Sequence, residues 1–590
     1  MVAITNPRHA EQISPNRLYI QNRKRKTGRT MFHSPPRKSQ VPRSFFSKLI
    51  ALVRKYLNRY LNKSQYFFPV GRKEEKQVDY NDNKRPLISL TEIKEKATTS
   101  VHTFHAAICL IGFYVMVFLG FINKLLSILP ESLQDRDNRR DYPGEPLIDR
   151  KVFLMWNFYL RRFRDVYNRT ICSSPGSEIT VMDTVYNFWC PKGTFTGTTS
   201  RCINLGSFNY LSFAETDGPN VKNSENAIKK YGVSTCSYAA SYGLTAIHLE
   251  LERMTAKFLQ VEDAAVFGMG FGTNAFNLPC ILSDESLVFS DQKNHASLVL
   301  GIRVSRAKCV VFKHNNMQDL EAKLRAAMIR GQPKTGKPWK RVYVIVEGIY
   351  SMDGTIVNLP GLVALKEKYK FYIYIDEAHC IGAIGQRGGG VADHYNIDPR
   401  KVDLLMGTFS KSFAAGGGYI AGSKEMIDHI RRNSHDLHYS FTMPIPTVEY
   451  IISVMKILMD PTNPAGGLRR VQQLKINVNY FRRRLKDLGF VVFGDDDSPV
   501  VPLVVYSVSK LYLLNQRLFE NKIAVVMVTF PITSSLSPRL RFCLSAHHTK
   551  EQLDKIIGII EGAADELGLR YNAKSRVKRK VYYEDVIKLT

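Results

Sequence analysis

The sequence lacks any pairing of its cysteines. Nine are scattered along the chain (Cys109, Cys172, Cys190, Cys202, Cys236, Cys280, Cys309, Cys380 and Cys543), with no C-x-x-C among them. That argues against a disulfide framework and a thiolate zinc site, so a reducing compartment is the simpler expectation and no metal is expected. Acidic residues are also scarce, 53 Asp and Glu against 83 Lys and Arg, for a net charge of +30. No G-x-x-x-x-G-K-[ST] phosphate loop precedes Asp376-Glu377-Ala378-His379, so that tetrapeptide does not read as a helicase motif. There are no internal repeats. A cleavable signal peptide is not expected, because the first forty residues are polar, basic and dotted with proline.

At 590 residues the chain is long enough for two or more domains and a large core. Its excess charge is concentrated at the front, where residues 1–43 hold ten Lys and Arg against one Glu. Such a basic tail suits nucleic acid or an anionic lipid surface. The residues that follow favour lipid. Within 44–68, Phe46, Leu49, Ile50, Val53, Leu57, Tyr60 and Leu61 recur at helical spacing, with Lys48, Arg54, Lys55 and Arg59 around them. This predicts a basic amphipathic helix able to lie in a membrane interface, although a helix docked on its own domain would show the same pattern. Residues 1–97 are therefore expected to form a basic tail that carries this helix.

Between Lys96 and Lys124 there is no formally charged side chain, and Ala106–Ile122 is apolar apart from glycine. A span needs about 20 apolar residues, so 98–126 is expected to be a membrane-embedded helix. The basic residues before it would hold the N-terminus in the cytosol. One full crossing would then put the remainder outside, while free cysteines and the chemistry below favour the cytosol. Crossing and dipping both stay open.

The body begins at about 145. Apolar, β-rich runs at Val342–Val346, Phe371–Ile375 and Leu404–Met406 alternate with helical stretches such as Pro360–Tyr369. That alternation predicts an α/β fold with a mainly parallel sheet. A connecting region (145–200), a large domain (201–445), a smaller α+β domain (446–572) and a basic tail (573–590) are expected. Strand-like runs in the smaller domain are Val500–Tyr506, Ile523–Val528 and Arg541–Leu544.

Chemistry is concentrated after predicted strands. Gly407-Thr408-Phe409-Ser410-Lys411-Ser412-Phe413 places a lysine among hydroxyls and glycines. This suits a Schiff-base lysine near a phosphate, its amine kept neutral by desolvation or nearby positive charge. Asp376 ends another strand, at the edge where α/β sheets bind ligands, and can pair with a protonated pyridine nitrogen. His295, in Asn294-His295-Ala296-Ser297, supplies an imidazole able to cover one face of a ring. The glycine-rich turn Gly268–Asn274 offers backbone donors to a phosphate. Glu347 and Ser351 follow a further strand. Arg539 and Arg541 open a late one, where a guanidinium can grip a substrate carboxylate or pair with a protein one.

Together these motifs resemble the α-oxoamine synthases, pyridoxal-phosphate enzymes of fold type I, from about Tyr159 to Leu567. Within that family the chain looks most like the catalytic long-chain-base subunits of serine palmitoyltransferase. The likeness includes Asn204–Tyr210, Phe312–Met317 and Arg541–Ala546. It implies pyridoxal 5'-phosphate on Lys411, with Asp376 at the ring nitrogen and His295 stacked on the ring, near the serine carboxylate. His379 and Ser351 would lie near the phenolic oxygen, and Thr408 with the Gly270–Phe271 turn would hold the phosphate. Asn209, Arg541, Thr533 and Glu347 would bind substrate. The implied reaction joins L-serine to palmitoyl-CoA with loss of CoA and CO₂. The implied setting is the endoplasmic reticulum membrane, with the catalytic domain facing the cytosol. Implied partners are a second long-chain-base subunit that lacks the lysine, a small activating membrane subunit, Orm-type regulators and membrane lipid. Nucleic acid is not expected.

Two departures stand out. Where the family reads Cys-Ser-Thr-Arg, this chain has Cys236-Ser237-Tyr238-Ala239, and the usual Pro-Ala-Thr-Pro loop is Pro531-Ile532-Thr533-Ser534. Two alternatives remain. One is a related synthase using another amino acid or acyl-CoA, and the other is a poorly active regulatory or scaffold subunit.

Overall fold

The structure, a computed structural model, describes residues 164–571 apart from 168, 186–192, 334, 464–465, 531 and 534–536, together with 583–587 and positions 111, 112, 114, 115 and 118. The expected amphipathic helix at 44–68 lies outside these residues, as does most of the expected membrane helix at 98–126. The five described positions of the latter are helical and exposed. No helix among the described residues is long and apolar enough to cross a membrane.

The centre is a seven-stranded sheet in the order β3-β11-β10-β9-β6-β4-β5. Its strands are β3 (Asp263–Phe267), β4 (Ser286–Asp291), β5 (Lys308–Phe312), β6 (Arg341–Glu347), β9 (Tyr372–Asp376), β10 (Leu404–Thr408) and β11 (Gly418–Gly422). Only β11 runs against its neighbours. Side chains alternate between two cores. Leu287, Phe289, Val344, Val346, Ile373, Ile375 and Leu405 fill one face, with Val288, Tyr343, Ile345, Tyr374, Leu404 and Met406 on the other. Because both faces are apolar, the strands read as unbroken hydrophobic runs, which is the signature of a parallel sheet covered on both sides.

Helices cover the faces. The helix Leu359–Tyr369 starts where the Asn358 side chain accepts from the Gly361 N–H (3.0 Å), with Pro360 in its first turn, and stops at Lys370 in a left-handed conformation. A small hairpin, β7 (Ile349–Tyr350) with β8 (Thr355–Ile356), follows β6.

A second sheet joins distant parts of the chain. The antiparallel pair β1 (Glu178–Val185) and β2 (Thr194–Asn204) is extended by β13 (Ile523–Ala524), parallel to β2. The third sheet is antiparallel, β12 (Val500–Val504), β15 (Arg539–Cys543) and β14 (Val526–Val528), in the order β12-β15-β14. The apolar run Ile523–Val528 is therefore not one strand. It turns at Val525 and serves two sheets, because its first residues pair with β2 and its last with β15.

Candidate active site

Parallel strands deliver their C-terminal ends to one edge of the sheet. There β9 ends at Asp376 and β6 at Glu347, which are register partners on adjacent strands. β10 ends at Thr408, three residues before Lys411, and β4 ends at Asp291, four before His295. The site is therefore built from strand ends that lie far apart in sequence and side by side in the sheet.

Lys411 is largely buried, and burial lowers its amine to about 8 against the opposing pull of Asp376 and Glu347. Its Nζ makes no ion pair among the described residues and lies 5.6 Å from the centre of the Phe208 ring. An amine in this state is half neutral near pH 8, as attack on an aldehyde requires. Asp376 is buried, accepting from Asn274 Nδ2 (2.8 Å) and from the Ala378 N–H (2.9 Å). Glu347 is buried beside it. Burial, then the Asp376 charge, push its carboxyl well above the usual range. Its Oε1 accepts the backbone N–H of His295.

His295 caps the helix Ala296–Val304, and its Nδ1 lies 2.8 Å from Ser297 Oγ. Burial lowers its pKa, with Lys411 adding to the effect and Asp376 opposing it. Its ring meets Phe271 edge-on at 6.0 Å. His379 is buried and held well below its ordinary range, first by burial and then by Lys411, Arg541 and His295. Tyr210 Oη sits 2.7 Å from its Nδ1.

The glycine turn packs directly on β10. A Cβ on Gly270 would lie 2.6 Å from Thr408 Oγ1, so a glycine here leaves the Thr408 side chain the room it occupies. Thr408 Oγ1 itself donates to the Gly417 carbonyl (2.8 Å) and accepts from the Ser410 N–H (3.2 Å).

The two arginines of β15 separate cleanly. Arg539 is ion-paired to buried Asp353 at 2.6 Å and donates to the Met352 carbonyl. Burial raises the Asp353 carboxyl, but Lys293 and Arg539 outweigh it and hold it at about 2. Arg541 is buried with no carboxylate partner among the described residues, and its Nη1 donates to Met352 Sδ at 3.8 Å. Its guanidinium lies over Phe208 at 4.7 Å, and its Nε has no hydrogen-bond partner. A buried cation left without an anion is a binding site for one.

Among the residues expected from sequence, Lys411, Asp376, Glu347, His295, His379 and Arg541 sense one another's charge. Ser351 is buried in the turn of the β7–β8 hairpin. Asn209 uses its amide on the Pro175 carbonyl (2.9 Å). Thr533 is buried with its hydroxyl unpartnered. Sequence reasoning did not single out Phe208, Tyr210, Asn274 or Ser297. Each lies inside a motif it had noted, but none is charged, and only the fold shows what they touch. Phe208 is central: its ring meets His379 edge-on at 5.2 Å and underlies both Lys411 and Arg541.

Comparison with known proteins agrees with this geometry. Residues 200–560 match the family of class I and II aminotransferases. Serine palmitoyltransferase 3 of Homo sapiens is 44% identical over 434 residues, 73% of this chain and 79% of that protein. Serine palmitoyltransferase 2 of Saccharomyces cerevisiae is 37% identical over 472 residues, 78% and 82% of the two chains. This chain belongs to the serine palmitoyltransferases. Among solved structures, a serine palmitoyltransferase described with its pyridoxal phosphate as an internal aldimine is 25% identical, with a TM-score of 0.59 over 68% of this chain and 93% of that one. An 8-amino-7-oxononanoate synthase from Francisella tularensis shares the fold, with a TM-score of 0.52 over 62% and 98%.

The cofactor of the serine palmitoyltransferase fold is pyridoxal phosphate, and the residues here fit it. A lysine amine lowered by burial lies over Phe208 within the field of Asp376, without an ion pair among the described residues, and a glycine turn lies tight against Thr408.

Proposed function

We propose that this chain is the catalytic, lysine-bearing subunit that condenses L-serine with palmitoyl-CoA to give 3-ketosphinganine, the first step of sphingolipid synthesis. The single observation that carries the reading is Lys411: a buried amine near pKa 8, without an ion pair, within the field of Asp376. When bound, pyridoxal phosphate supplies an electron sink for negative charge developing at the serine Cα.

The residues divide the work. Lys411 would hold the cofactor through its amine and, as a neutral amine, would take the proton from the serine Cα. Asp376 would pair with the ring nitrogen and favour its cationic form. His295 would cover one face of the ring. Arg541, which hydrogen-bonds only to sulfur atoms and has no carboxylate partner among the described residues, offers its guanidinium to the serine carboxylate, a charge-assisted contact in a buried setting. His379, held neutral and bonded to Tyr210, can give or accept a hydrogen bond at the phenolic oxygen without adding charge. A carbon–carbon bond then forms between Cα and the acyl carbonyl carbon, the thioester C–S bond breaks and CoA leaves as the thiol with the proton taken from Cα, and the carboxylate leaves as CO₂ while a proton from water takes its place on Cα. General acid–base steps of this kind each contribute about 10²–10⁴-fold.

The proposal extends to place and partners: the endoplasmic reticulum membrane, the catalytic domain toward the cytosol, and a heterodimer with a lysine-less subunit, joined by a small activating subunit and Orm-type regulators. The uncharged run between Lys96 and Lys124 and the greasy product support the membrane. Two adjoining segments support a protein partner. Tyr238 bridges to Phe441, and Tyr242 and Tyr439 beside them are 91% and 83% exposed, an aromatic surface suited to an interface.

The test is coexpression with the partner subunit and supply of labelled serine and palmitoyl-CoA. Wild type should yield a ketone-bearing long-chain base, and Lys411→Ala should yield none and lose the imine absorbance. Normal output from Lys411→Ala would reject the assignment.

A further inference from the structure

A chain of buried hydrogen bonds links Asp376 to His295 through residues given no role so far. Asn274 Nδ2 donates to Asp376 Oδ2 (2.8 Å) and to Ser297 Oγ (3.0 Å). Asn274 Oδ1 accepts from Tyr374 Oη (2.8 Å). Ser297 Oγ lies 2.8 Å from His295 Nδ1, which also accepts the backbone N–H of Ser297 (3.3 Å). Asn274, Ser297 and Tyr374 are each 1% exposed, so water does not compete.

Proton counting along this chain leaves one arrangement. A carboxylate only accepts, so the amide nitrogen of Asn274 must face Asp376, and its oxygen must face Tyr374. The same amide nitrogen then donates to Ser297 Oγ, which leaves the serine hydroxyl hydrogen for His295 Nδ1. That nitrogen already receives a backbone N–H, so it holds no proton of its own. The imidazole proton therefore sits on Nε2, which has no hydrogen-bond partner among the described residues. We propose that Asn274 and Ser297 are positioning residues that fix the tautomer of His295. They present Nε2–H as a donor to an anionic substrate group, and the shared amide couples this choice to the seating of Asp376. The proposal rests on reading the site as a pyridoxal-phosphate cradle, and it adds how the ring histidine is set.

The location of His295 strengthens the case. It caps the helix Ala296–Val304, where the N-terminal dipole disfavours an imidazolium and the Ser297 backbone N–H occupies Nδ1. Protonation at Nδ1 would set a new N–H against two existing donors. Removing the serine hydroxyl removes one of them.

The experiment uses the full chain coexpressed with its partner and loaded with cofactor. Serine binding is followed by the change in imine absorbance across pH. Ser297→Ala should keep the absorbance and the melting temperature of wild type. It should bind serine about tenfold more weakly, as expected for one buried hydrogen bond. The acid limb of binding should move to higher pH, because the imidazolium is opposed by one donor fewer. Asn274→Ala should show the same losses, and the double variant should be no worse than Asn274→Ala alone, as coupled residues require. Wild-type affinity and an unmoved acid limb in Ser297→Ala, or additive losses in the double variant, would overturn the proposal. Absence of imine absorbance in wild type would instead overturn the cofactor reading. Should Ser297→Ala misfold, nitrogen spectra of histidine-labelled wild type decide directly: a proton on His295 Nδ1 sinks the idea and one on Nε2 supports it.

Discussion

The two edges of the central sheet make a useful contrast. At the edge where β6, β9 and β10 begin lies a hollow of about 360 Å³ lined by Arg341, Tyr372, Arg400, Asp403 and His429. Two of the charges around it are paired, Asp403 with Lys366 at 2.6 Å and Arg400 with Asp398 at 2.7 Å, the latter pair largely exposed. At the opposite edge the charges are buried and incompletely matched. Lys411 has no ion pair among the described residues, burial pushes the Glu347 carboxyl well above its usual range, and Arg541 has an unpartnered Nε. Volume marks one edge and electrostatic frustration the other. Only the second stores free energy that a bound ring and carboxylate can release, so chemistry belongs there.

The largest break in this contrast should come from Asp376→Asn. Losing a buried charge opposite the ring nitrogen removes about 4 kcal/mol of stabilisation, or about 10³-fold in kcat. The pH dependence should also shift. Asp376 raises the Lys411 amine, which burial lowers to about 8. Without that carboxylate the amine should fall further and stay neutral at lower pH. Cofactor capture by the apo chain, followed by absorbance, should then extend to more acid pH while turnover collapses. Retained turnover would remove Asp376 from the mechanism.

A second prediction sharpens the contrast within one strand. Arg539 and Arg541 both point into the protein from β15, yet one is paired and the other is not. Arg541→Met should leave the melting temperature near wild type and raise the KM for serine about 10–100-fold, through loss of a charge-assisted contact. Arg539→Met should do the reverse. It strips Asp353 of its closer partner, leaving Lys293 at 3.1 Å, and should destabilise the fold by about 3 kcal/mol with little change in KM. Equal effects of the two substitutions on KM would show that the strand acts as a unit.

These arginines also mark how far the sequence could be read. The strand that carries them was legible from its apolar alternation. Which guanidinium is free depends on Asp353, 186 residues away, and no local pattern reveals that. Lys411 and Asp376 stood out as candidates because each follows a β-rich run, whereas His379 gained a role only through the family resemblance. Phe208 and Asn274 did not stand out, since an aromatic or an amide in a turn has many uses until its neighbours are known. The same reason hid the pairing of β2 with β13 and the division of Ile523–Val528: sheet partners chosen across more than 300 residues leave no trace in local periodicity.

The smallest expected effect tests the quiet edge. Arg400 lines the hollow, but it is largely exposed and fully paired with its near neighbour Asp398. Solvent screens such a pair, and holding two long side chains together offsets what attraction remains. Arg400→Ala should therefore leave serine KM, kcat and melting temperature indistinguishable from wild type, although it opens the mouth of the hollow. The measurement is informative because the hollow and the catalytic edge share β6, β9 and β10. If enlarging one end of those strands altered turnover at the other, the sheet would be transmitting strain rather than acting as a rigid platform. The separation drawn here between volume and unmatched charge would then fail.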